Sequence, residues 1–191
     1  MGGRDYVHGY LGLGKPLNIV SIANELRKLE SGKGPESTNY LRSLAREFEY
    51  NLLGSTAMPD EYVDCIVSVL SSRVISQLDG SEEFVLNALM DVEKTSESQR
   101  RRILSAIVDW FHTYKTDALR FAIAEYISRC FPENMALATL ENIGSSASKD
   151  AIGSIRMGLE VLLFREGVSS EFRSSVFQVE QNLLREKEVK S

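Results

Sequence analysis

The fold is decided by residues 116–144, TDALRFAIAEYISRCFPENMALATLENIG. Leu119, Ala122, Ile123, Tyr126, Ile127 and Cys130 recur at intervals of three and four residues, which lines them along one face of a helix. The spacing predicts a helix over Ala118–Cys130. Phe131-Pro132 interrupts it, because proline disfavours helix at the residue before it yet fits the opening of a new one. A second helix is expected over Glu133–Ile143, with Gly144 as its C-terminal cap. So short a connection forces the two helices to run antiparallel, side by side.

Working outward, the same pattern repeats. On the C-terminal side, helices are expected over Lys149–Glu166 and Ser169–Lys187, with Gly167 at the cap between them. On the N-terminal side, Ser96-Glu97-Ser98-Gln99 is a capping box opening a helix that carries Ile103, Ile107, Trp110, Phe111 and Tyr114. Before it, Ser81 is placed to cap a helix reaching about Val92, with Glu82 and Glu83 at the positive helix end. Pro59 introduces a helix over Asp60–Leu78, with Val63, Ile66, Val67, Leu70, Val74 and Leu78 facing inward and Asp79-Gly80 ending it. Ser37–Leu53, closed by Gly54, and Leu17–Glu30 complete the series, parted by the breakers Ser31-Gly32-Lys33-Gly34-Pro35. Valine-rich pieces such as Ile66–Leu70 lie inside longer helical periods, so no strand is expected. The fold class is therefore all-α: about nine helices in antiparallel hairpins. Residues 17–187 form one domain, preceded by an arm, 1–16, that holds five of the 13 glycines, and followed by a charged tail, 188–191, that frays.

The hairpins start near Ser37, Ser81, Thr116 and Ser148, which are 44, 35 and 32 residues apart. Such spacings approach the period of two-helix solenoid repeats. Asp117–Ile127 followed by Pro132–Leu140 resembles a HEAT-type repeat: a first helix rich in small residues, a proline turn and a second apolar helix. The resemblance covers about one repeat, and the neighbouring hairpins share only its length and helicity. It implies an interaction scaffold, with DNA binding known for some members. Two architectures follow, a short HEAT-like solenoid or an irregular helical bundle.

Composition narrows the function. A hydrophobic content of 43% over 191 residues is enough for a sizeable core. The net charge of −5 disfavours a dominant role on nucleic acid or an anionic membrane. Cys65 and Cys130 are too few and too far apart for a disulfide framework; they predict buried free thiols and a reducing, cytoplasmic setting. No run of apolar residues approaches membrane-spanning length, and the N-terminus lacks the charged and apolar regions of a secretory signal.

No set of residues makes a convincing catalytic or cofactor site. Gly9–Lys15 matches the spacing of a phosphate loop, but Pro16 stands where that loop needs a hydroxyl, and no strand feeds it. His8, His112, Cys65 and Cys130 lack metal-ligand spacing, so no metal and no cofactor is expected. The leading expectation is a non-enzymatic protein-binding module, an adaptor, regulator or inhibitor or immunity-type protein. Its contact surface would be the acidic region 60–91, chiefly Asp60, Asp64 and Glu83, facing a basic partner. One alternative is nucleic-acid backbone binding through Arg100-Arg101-Arg102, with Arg101 and Arg102 as test positions and Arg73, Lys115 and Arg120 extending the ridge. The other is a small-molecule or enzymatic pocket near Trp110, His112 and Tyr114, with Asp109 one turn before His112.

Overall fold

The computed structural model describes residues 22–31, 40–78, 80–89 and 93–189. The glycine-rich arm with its phosphate-loop look-alike and His8, the start of the first expected helix, most of the 31–35 breaker, Asp79 and Asp91 lie outside them. The described residues are helical with no strand. In chain order the helices are α1 (Ile22–Glu30), α2 (Tyr40–Leu52), α3 (Asp60–Leu70), α4 (Ser81–Glu83, running on into a π-helical turn, Phe84–Ala88), α5 (Glu97–Trp110), α6 (Asp117–Cys130), α7 (Glu133–Ser146), α8 (Ile152–Leu163) and α9 (Ser170–Val189). The backbone is thus helical two residues beyond Lys187.

The helices sort into two layers. Each packs on the next but one: α1 on α3, α3 on α5, α5 on α7 and α7 on α9 in one layer; α2 on α4, α4 on α6 and α6 on α8 in the other. Contacts of α6 with α7, α7 with α8 and α8 with α9 join the layers. A single apolar cluster fills the space between them, from Ile22 and Leu26 to Val179 and Leu183. The most extensive helix pair is α6 with α8. Small residues explain it: a Cβ on Gly158 would lie 2.9 Å from Cβ of Ala124, so the two backbones nearly touch.

Local chemistry accounts for most helix ends. The capping box forms as expected, with the Ser96 hydroxyl accepting from Gln99 N at 3.3 Å and the Gln99 side chain accepting from Ser96 N at 2.9 Å. Thr116 caps α6 by accepting from Leu119 N at 3.3 Å. Gly54 and Gly167 follow their helices at φ +77° and +76°, the left-handed conformation that glycine adopts without steric cost.

Three expected boundaries are corrected. The helix from Asp60 ends at Leu70, not Leu78. No breaker stands there; the Glu30 carboxylate at the end of α1 accepts from Ser72 Oγ at 3.1 Å and Arg73 N at 2.9 Å and draws the chain aside. Gly80, at φ +80°, takes the cap position expected of Ser81, which is buried. A Cβ on Gly80 would meet Arg42 Cγ at 2.7 Å, so glycine lets α4 close on α2. Gly144 does not stop α7, which runs on to Ser146. It lies under Leu183, whose methyls would be 2.7 and 2.9 Å from an added Cβ, so its role is to admit α9.

Candidate interaction face

Asp60 and Asp64 sit on successive turns of α3, facing α5. Arg102 of α5 forms a hydrogen-bonded ion pair with Asp64 and stands 3.9 Å from Asp60. Gln99 Nε2 donates to Asp60 Oδ1 at 2.7 Å and to Met58 O at 3.1 Å. One arginine of the expected ridge, Arg102, thus meets two aspartates of the expected acidic surface at the α3–α5 contact. Glu83 is elsewhere: it accepts from Arg42 Nε at 2.8 Å where α4 meets α2, in the other layer. Asp60, Asp64 and Glu83 do not form one surface.

The three consecutive arginines meet three different surroundings because successive helical residues point in different directions. Arg100 is half-buried, its Nε without a hydrogen-bond partner among the described residues. Arg101 is exposed and pairs with Glu97 one turn back at 2.6 Å; hydrogen bonding from Arg101 holds the Glu97 carboxyl below its ordinary range. Arg102 is committed to α3. Arg120, expected to extend the ridge, is instead buried. Its Nε donates to Tyr114 O at 2.6 Å, and its Nη1 donates to Asp150 at 2.8 Å and Asp117 at 3.3 Å.

Trp110, His112 and Tyr114 do not converge. Tyr114 is buried, its hydroxyl donating to Leu70 O at 2.7 Å. His112 is exposed on the single 3-10 turn after α5, and Trp110 packs half-buried against the core. Asp109 accepts from Ser105 rather than His112. Among the described residues, no three His, Cys, Asp or Glu side chains are grouped as a metal site would require. Cys65 and Cys130 are free thiols, the first buried and the second half-buried.

Sequence reasoning missed a row of clefts along the α1–α3–α5–α7–α9 layer. One of about 190 Å³ lies between α1 and α3, floored by Leu26 and edged by Arg27, Glu30 and Ser68. One of about 220 Å³ lies between α7 and α9, between Glu141, Ser145, Asn182 and Arg185. The largest of these three, about 640 Å³, is the open groove between α5 and α7. Leu104 and Val108 from α5, with Pro132 and Met135, make its apolar floor; Arg101, Ser105, Asn134 and Asn142 form the rim. A signal for it was present: Leu104 and Val108 repeat at i, i+4 one residue beyond the Ile103–Ile107 stripe, a second apolar row that widens the apolar face of the helix.

No family model, curated protein or solved structure matches this chain. Among the described residues no helix is long and apolar enough to cross a membrane.

Proposed function

We infer that the chain is a non-enzymatic protein-binding module, an adaptor, regulator or inhibitor-type protein built as a short HEAT-like stack, working in the cytoplasm. The observation that carries this is the line of clefts along one helical layer, with an apolar-floored groove between α5 and α7. The alternation of helices between two layers supports the stacked-repeat reading, since each hairpin buries its faces against its neighbours. Two unpaired thiols support a reducing compartment. The contact surface is better assigned to the clefts of this layer than to its acidic residues Asp60 and Asp64, which are engaged by Arg102 and Gln99. The nucleic-acid alternative is weakened by the burial of Arg120 and the commitment of Arg102.

A photo-crosslinking residue at exposed Ser105, compared with one at exposed Met157 on α8, tests the assignment in cells of the native source. The expected result is a protein adduct specific to Ser105, whose purified partner then binds the unlabelled chain. Adducts confined to Met157, or adducts to nucleic acid, would overturn it.

A further inference from the structure

We propose that the α5–α7 groove docks a short acidic–apolar segment of a partner protein, with a large apolar side chain on the floor and a carboxylate on Arg101. This rests on the protein-binding reading and names the partner's chemistry. The floor of Leu104, Val108 and Met135 offers apolar surface at an open site. Among the described residues Arg101 is the one charged member of the lining; the others on the rim are a hydroxyl and neutral amides. Its pairing with Glu97 joins side chains that are 71% and 61% exposed, an ion pair of little net worth that a ligand carboxylate displaces at small cost. Arg102 is not among the described residues that line the groove, and its pairing is with Asp64 of α3. The rim hydroxyl of Ser105 donates to Asp109 of the same helix at 3.5 Å. A ligand carboxylate that takes the place of Glu97 on Arg101 fixes one end of the ligand at this edge of the groove. Arg101 and Leu104 are three residues apart on α5, about 5 Å along the axis, so the ligand's acid and anchor lie close together in its own sequence.

Fluorescence polarisation with short labelled peptides tests this. The probes carry a central Leu or Phe preceded by Glu-Glu, by Lys-Lys, or by Glu-Glu with the anchor replaced by Ala. The Glu-Glu–anchor peptide is expected to bind about tenfold or more tighter than either of the others, corresponding to about 1.4 kcal/mol. Arg101→Glu should reverse the acid–base preference. Ser105→Trp, which fills the groove from an exposed position, should abolish binding, while Arg129→Glu in the other layer should leave it intact. Circular dichroism and Tm identify any variant that fails to fold. Equal binding of acidic and basic peptides, no binding of any peptide, or Arg101-dependent binding of a single-stranded oligonucleotide in their place would overturn the proposal. A protein adduct at Ser105 with no peptide binding would overturn this ligand class alone and leave the protein-binding reading standing.

Discussion

Ser128 Oγ lies 2.7 Å from Gly158 O on α8 and 2.8 Å from Ala124 O one turn back on its own helix, so its single proton is shared between the two helices at the most extensive helix pair among the described residues. Ser128 is fully buried, and the contact exists because position 158 has no side chain.

Two glycines of α8 should therefore respond oppositely. Gly158→Val drives a side chain into Ala124 and should lower stability by about 2–3 kcal/mol. Gly153, with nothing within 4 Å of an added Cβ, should gain about 0.5 kcal/mol as Ala through helix propensity. Urea denaturation, read as a change of midpoint at constant slope, measures both. A neutral Gly158→Val would mean that α6 and α8 are not so closely packed.

Tyr114→Phe should cost about 1–2 kcal/mol. The hydroxyl is buried and donates to Leu70 O at the end of α3, and its loss leaves that carbonyl without this donor. The ring, edge-on to Phe111 at 5.8 Å, is kept, so the substitution isolates the hydrogen bond. An unchanged urea midpoint would show that water replaces the hydroxyl.

Acid should weaken the fold partly through Asp150. Hydrogen bonds from Ser148 first, and Arg120 second, hold its carboxyl at about 2 against an ordinary 3.8. A carboxyl depressed in the folded state contributes stability above its unfolded value and loses it as pH falls toward the folded one. The contribution should be complete above about pH 4 and fade toward pH 2. Asp150→Asn should flatten that part of a Tm–pH curve, and a curve of unchanged shape would remove Asp150 from the account.

Both thiols should be slow toward a disulfide reagent in the native protein, with Cys130 reacting before Cys65. Burial pushes the Cys130 thiol up to about 11, which leaves about one thiolate in a thousand at pH 8. Cys65 is more deeply buried, and desolvation followed by the nearby Glu47 charge raises it further. Stopped-flow labelling of Cys65→Ala and Cys130→Ala variants separates the two rates, and equal rates would contradict the burial order.

Helical periodicity, the Ser96–Gln99 capping box, the Phe131-Pro132 turn and the glycines at 54 and 167 were legible in the sequence, because each is a local interaction among residues a few positions apart. They sufficed for an all-α chain of hairpins. The corrected features were decided across the fold. Glu30 ends α3 from 42 residues away, Gly144 serves Leu183 rather than its own helix end, and Gly80 serves Arg42. The candidate site divides the same way. Exposed Arg101 and the second apolar row of Leu104 and Val108 are written in α5. That Arg102 would be spent on Asp64, Arg120 buried under Tyr114 and Asp150, and Met135 brought beside Val108 depended on how the helices stack. A sequence specifies which face of each helix is apolar. Which charges survive on the surface is settled only when those faces meet, because pairing and burial are properties of neighbours distant in the chain.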